Sequence, residues 1–179
     1  MMKFLQLLPS RWVNWLATLL RIEFAEPNEN SAPAVPYGLS ASELVTRFIY
    51  SERRMNKLRT RPMPDSFYPP ADGELSVVHS TGLPDHEVWE IGRTHALGDQ
   101  PGRDRIRGRA DVPVKALIDR KLSAIRDDNP FKRHTSVIGW PTSDDADQQK
   151  QQRTGICLEL SQDPDVKLII PESPIVHTA

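Results

Sequence analysis

The sequence predicts an α/β or α+β domain, a small mixed sheet of four or five strands covered by helices, preceded by an amphipathic helix. Three observations lead there. Short runs rich in Val, Ile and Leu, bounded by Gly, Pro or Asp, alternate with segments whose apolar residues recur every three or four positions. Hydrophobic residues at 38% and charged residues at 26% describe a moderate core under a polar surface. Sixteen prolines in 179 residues require long connections that are neither helix nor strand.

In residues 1–25, Trp12, Trp15, Leu16, Leu19 and Ile22 fall on one helical face and Arg11, Asn14, Thr18 and Arg21 on the other. The uncharged run Trp12 to Leu20 is far shorter than the roughly 20 residues needed to cross a bilayer. Arg11 and Asn14 also interrupt any secretory signal. Trp12, Trp15, Leu16 and Leu19 are therefore expected to dock on the domain, on a protein partner or on a second copy. A membrane surface is not expected, because two flanking cations are few for a lipid anchor. Residues 26–38, with Pro27, Pro33 and Pro36, read as a linker, and residues 39–179 as one domain with an acidic carboxy-terminal portion.

Ser40-Ala41-Ser42-Glu43 has the spacing of a capping box, with Leu39 and Leu44 as its staple, and predicts a helix whose buried stripe is Leu44, Val45, Phe48, Ile49 and Met55. Residues 60–73 carry Pro62, Pro64, Pro69 and Pro70 around Phe67 and Tyr68, a stiff surface crossing. Glu74 to Thr81 reads as a strand ending at Gly82, and Pro84 with Asp85 and Glu87 opens a helix that turns Val88, Trp89 and Ile91 inward. Strict alternation over Arg105 to Ala110 puts Arg105, Arg107 and Arg109 on one side of a strand and Ile106 and Ala110 on the other. A short helix over 113–122, an edge strand over 123–126 and the turn Asp127-Asp128-Asn129-Pro130 follow. The strand His134 to Trp140 is the centrepiece, and a helix over 153–161 and a strand over 166–170 complete the order.

Charge is unevenly spread. Between Arg47 and Arg61 six basic residues face Glu52 alone, whereas Thr142 to Glu172 holds seven acids against Lys150, Arg153 and Lys167. The basic stretch (Arg47, Arg54, Lys57) and the arginine row (Arg105, Arg107, Arg109) are candidate phosphate ligands, since guanidinium forks bind phosphate in bidentate fashion. Asp104, Asp111, Asp127 and Asp128 are the alternative, internal partners for that row. Cys157 is the only cysteine, which excludes an internal disulfide and a multi-thiolate zinc site and suits a reducing, cytoplasmic setting. His86 and His95 are nine apart on one expected helix and do not share a face, so no metal is expected. Nor is any other cofactor, in the absence of a glycine-rich phosphate loop with a following lysine.

Gly82-Leu83 with Glu87-Val88-Trp89, Gly108-Arg109-Ala110-Asp111, Arg133-His134 with Gly139-Trp140-Pro141, and Arg47-Phe48-Ile49-Tyr50-Ser51 together resemble an uncharacterised group of small bacterial proteins over roughly residues 44–170. That resemblance implies a bacterial, intracellular protein with one compact domain, and attaches no activity. His79-Ser80-Thr81 and His134-Thr135-Ser136 resemble the paired His-x-Thr/Ser motifs of 2H phosphoesterases. There, neighbouring strands set one imidazole as base and one as acid about a phosphodiester. Alternation returns the hydroxyl, here Thr81 or Ser136, to the same strand face. The leading expectation is an accessory or binding protein for a phosphate-bearing ligand or nucleic acid, acting in a complex. The alternatives are a phosphodiester-processing enzyme using His79 and His134, and a purely structural interaction subunit.

Overall fold

The computed structural model describes residues 36–97, 105–173 and 175–176. The chain divides into two units, Met1–Pro33 and Ala34–Ala179, and the described residues belong to the second. The amphipathic face of Trp12, Trp15, Leu16 and Leu19 and most of the linker lie outside them.

The domain is mixed α and β, built on one seven-stranded sheet that is larger than the sequence predicts and antiparallel at every pairing rather than mixed. Its strands are β1 (Tyr37–Gly38), β2 (Leu44–Ile49), β3 (Leu75–His79), β5 (Gly108–Pro113), β6 (Ser123–Arg126), β7 (His134–Ile138) and β8 (Lys167–Ile169), in the order β1-β6-β7-β3-β2-β5-β8. A separate ribbon pairs β4 (Arg105–Ile106) with β9 (Ile175–Val176). The α-helices are α1 (Asp85–Ile91), α2 (Val114–Ile118) and α3 (Ala146–Gln162).

The largest departure from the sequence reading is β2, expected as a helix and found in the interior of the sheet between β3 and β5. One of the two capping-box bonds forms, Ser40 N donating to Glu43 Oε2 at 2.5 Å, while Ser40 Oγ donates to the same carboxylate at 2.9 Å instead of accepting from Glu43 N. They close a tight turn, with Glu43 N on the Ser40 carbonyl, instead of opening a helix. The residues that follow explain why. Val45, Thr46 and Ile49 are β-branched, and both sheet faces are covered at this strand, so Val45, Thr46, Phe48 and Ile49 are all buried. Burial on two faces removes the period of two and leaves an apolar spacing that imitates a helix.

Alternation then sorts the core. Val45 and Ile49, Leu75 and Val77, Ala110 and Val112, Ala124 and Val137 share one face, where they pack with Val114 and Leu117 of α2, Cys157 and Leu160 of α3, and Phe67 from the proline-rich crossing. Burial of such side chains stabilises by about 1.5–3 kcal/mol each. The other face is apolar only in part. Phe48 and Val78 pack there under Val88 of α1. Helix α1 runs on into a π-helical turn, Gly92–Ala96, and Gly92 is what brings it close, since a Cβ at that position would lie 2.7 Å from Phe48 Cε1 and 2.8 Å from Ile106 Cδ1. Farther along the same face, on β3 and β7, come Ser76, His134 and Ser136, where the sheet turns polar.

Candidate active site

Val78 stands opposite His134 in the β3–β7 ladder, and Ser76 opposite Ser136, so His134, Ser136 and Ser76 project from one face. His134 is 8% exposed, whereas Ser76 is exposed. His134 Nε2 lies 2.8 Å from Ser76 Oγ, and its Nδ1 lies 2.6 Å from Asp127 Oδ1. Because a carboxylate only accepts, the neutral imidazole carries its proton on Nδ1 and turns the Nε2 lone pair to the serine hydroxyl. A hydroxyl, an imidazole and an orienting carboxylate are thus joined in the sequence of contacts that activates a serine nucleophile.

The loop from Asp127 to Arg133 holds the two inner members. The carbonyl of His134 accepts from the amides of Asp127 and Asp128, both at 3.3 Å, and His134 N donates to the Phe131 carbonyl. Asp127 Oδ1 also accepts from Asn129 N at 3.2 Å, and Ser136 Oγ approaches Asp127 Oδ2 at 3.4 Å. Phe131 meets the imidazole edge-on, with ring centroids 5.3 Å apart, and stacks on His95 at 4.5 Å. Asp128 and Arg133 bracket this loop with φ of 53° and 72°. Residues with side chains reach that region at a cost of order 1–3 kcal/mol and concentrate where a site fixes the backbone.

A cleft opens beside Ser76, lined among others by Thr46, Arg47, Tyr50, His95 and Phe131. Its origin is a parting of strands. The β2–β3 ladder runs only through Val45 opposite His79 and Thr46 opposite Val78. Beyond that point Arg47 Nη1 donates to the Ser76 carbonyl at 2.7 Å, and its Nε donates to the Ser66 carbonyl at 3.3 Å. A guanidinium is thereby fixed on the Ser76 backbone in the wall of the cleft. Burial lowers the His95 pKa, which favours a neutral ring at the cleft.

The other sequence-designated residues lie elsewhere. His79 alternates to the opposite face, where Arg126 Nη1 donates to its Nδ1 at 3.2 Å and its Nε2 lies 3.1 Å from Glu43 Oε1. The two imidazoles therefore do not flank one ligand. Thr81 Oγ1 accepts from Leu44 N at 2.7 Å and ties β2 to β3. The arginine row also fails to form, because the chain breaks register at Arg107, whose amide donates to the Ile49 carbonyl between β4 and β5. Ile106 consequently packs with Phe48, on the side to which Arg109 also projects. Arg109 is 2% exposed, bound to Asp85 Oδ1 at 2.6 Å and Asp111 Oδ2 at 3.3 Å under the Trp89 ring. Arg107 reaches Glu52 at 3.7 Å, and Arg105 belongs to the β4–β9 ribbon. Arg54 and Lys57 lie not on a helix but in and after a short 3₁₀ turn, Glu52–Arg54.

Asp127 is legible in the sequence as the acidic turn before His134, while Ser76 is the residue that motif reading passes over. Its signal is a lone hydroxyl between Leu75 and Val77, placed by alternation on the face away from their core. Among the described residues no group of His, Cys, Asp and Glu could hold a metal ion, and no helix is long and apolar enough to cross a membrane. The chain matches no family model, no curated protein and no solved structure.

Proposed function

We propose that the protein is a hydrolase of anionic esters in which Ser76 is the nucleophile, His134 the general base and Asp127 the group that orients it. The observation that carries this reading is the continuous line Ser76 Oγ, His134 Nε2, His134 Nδ1, Asp127 Oδ1, with contacts of 2.8 and 2.6 Å and its serine end exposed at a cleft. Ser76 Oγ attacks the ester centre as its proton passes to His134 Nε2. The imidazolium, stabilised by Asp127, returns that proton to the leaving alkoxide. A covalent Ser76 ester remains; water, deprotonated by His134, then cleaves it, and the proton goes back to Ser76. Arg47, in the cleft wall, supplies positive charge for the anionic substrate and for the charge that develops on attack. The order Ser, Asp, His along the chain matches that of α/β-hydrolases, but Ser76 sits within a strand and not on a nucleophile elbow, so the reading rests on side-chain geometry alone.

The test is a fluorophosphonate probe followed by peptide mass spectrometry. Phosphonylation of Ser76 that disappears in His134→Gln supports the assignment. An unlabelled Ser76, or labelling indifferent to His134→Gln, would sink it.

A further inference from the structure

The hairpin that follows β2 is held in a fixed shape while most of its cations have no acidic partner among the described residues. Met55 and Pro62 close it with a bridge, and Met63 N donates to the Arg54 carbonyl at 2.7 Å. Inside, Asn56 Oδ1 accepts from Thr60 N and Arg61 N at 2.8 and 3.1 Å, and its Nδ2 donates to Thr60 Oγ1 at 2.9 Å. Arg59 takes the left-handed region, φ 52°, to complete the turn. The result presents Arg53, Lys57, Arg59 and Arg61 to solvent, with Leu58, 81% exposed, at the tip. Glu52 is the acid that answers them, 3.0 Å from Arg59. Among the described residues no carboxylate lies within ion-pair distance of Arg53, Lys57 or Arg61. Like charges held this close repel one another, and a polyanion removes that repulsion.

From this arrangement we infer that the hairpin docks the phosphate backbone of a nucleic acid. Three of the four cations are arginines, whose forks suit phosphate oxygens, and no aromatic ring stands on the hairpin to stack a base. Binding is therefore through the backbone and independent of sequence. The chain as a whole has a net charge of -1, so the attraction is local to this loop. The hairpin is rooted at the cleft wall: Ser66 Oγ donates to the Arg54 carbonyl at 2.7 Å, and the Ser66 carbonyl accepts from Arg47. The surface goes beyond the hydrolase reading and does not depend on it.

The experiment is fluorescence anisotropy of the full chain with labelled 20-nucleotide DNA and RNA, single- and double-stranded, at about 50 and 200 mM NaCl. With four phosphate contacts the affinity falls about 10²-fold between the two salts. Arg53→Glu/Lys57→Glu/Arg61→Glu abolishes binding at the higher salt, and Lys150→Glu, on α3, does not. Ser76→Ala binds as the unaltered chain does, so loss of the catalytic assignment leaves this result standing. Absence of binding at 50 mM salt to every probe, an unchanged Kd in the triple variant, or equal competition by poly-glutamate, which would assign the loop to acidic polypeptides, each overturns the proposal.

Discussion

His79 and His134 sit one step out of register on adjacent antiparallel strands, and that single step sends their imidazoles to opposite faces of the sheet. His134 meets Ser76 and Asp127, whereas His79 meets Arg126 and Glu43. Their replacement should therefore separate cleanly. His134→Gln is expected to lower ester turnover at least about 10²-fold, as loss of a general base does, with the fold retained. His79→Gln should leave kcat within about threefold. Steady-state kinetics on an anionic ester, with circular dichroism as the fold control, checks both.

Asp127→Asn keeps the volume of the side chain but offers an amide where a carboxylate now fixes the Nδ1–H tautomer. The variant should lose kcat by about 10²–10⁴-fold with KM little changed, because Asp127 acts on the imidazole and not on bound substrate. Nitrogen-15 chemical shifts of the imidazole would report the tautomer change directly. A structural role alone would leave the tautomer populations as they were.

The buried guanidinium of Arg109 makes a second contrast. Asp111, which also accepts from Thr46 Oγ1 at 2.6 Å, is its enclosed partner, while the Asp85 side chain is 72% exposed. Asp111→Ala should destabilise by about 3–5 kcal/mol, the cost of stranding a buried charge. Asp85→Ala, at an exposed partner, should cost less than about 1 kcal/mol. Urea unfolding of the two variants measures the difference.

Acid should weaken the fold through His79. Burial holds this imidazole below its ordinary range; Arg126 and Arg133 push the same way, and Glu43 and Asp128 oppose them. In the unfolded chain the ring takes a proton near pH 6.5. Between that pH and the lower native value the unfolded state binds the extra proton, so stability is full above about 6.5 and is lost as pH falls through the native pKa. Glu43 is held low, chiefly by its bond from the Ser40 amide, so its own contribution fades at lower pH, below 4.5. Unfolding free energies at pH 5 to 8 should slope upward to about pH 6.5 and then level. The slope should flatten in His79→Gln.

Cys157, on the inward face of α3, lies within the core, and burial pushes its thiol up to about 12. Native protein should thus resist a disulfide reagent at pH 8, since the thiolate is the reacting form. Reaction should start with unfolding and run at its rate.

What the sequence discloses follows from how many faces of each segment are buried. Strands β3, β6 and β7 and helix α1 stand out because Gly82, Pro84 and the Asp-Asp-Asn-Pro turn punctuate them, whereas α3 is legible only over 153–161, its polar first turns from Ala146 carrying no apolar stripe. Strand β2 is hidden because it is covered twice and follows a turn whose Ser-x-x-Glu spacing imitates a helix cap. Pairing register is the other hidden quantity. Two His-x-hydroxyl triplets are visible to the eye, yet only register says which hydroxyl each ring meets, and for His134 it is Ser76 and not Ser136. Likewise the period-two arginines scatter because one residue outside both strands, Arg107, separates β4 from β5.

The β3–β7 ladder also bears on how the proposed site assembles. Ser76 and His134 are 58 positions apart and meet only when β7 closes on β3, a contact that must bear a large loop-closure entropy before it is rewarded. Neither half of the chain can hold the line of contacts alone. During refolding, local secondary structure should thus return ahead of probe-reactive serine, so that the appearance of Ser76 labelling times the docking of β7 on β3.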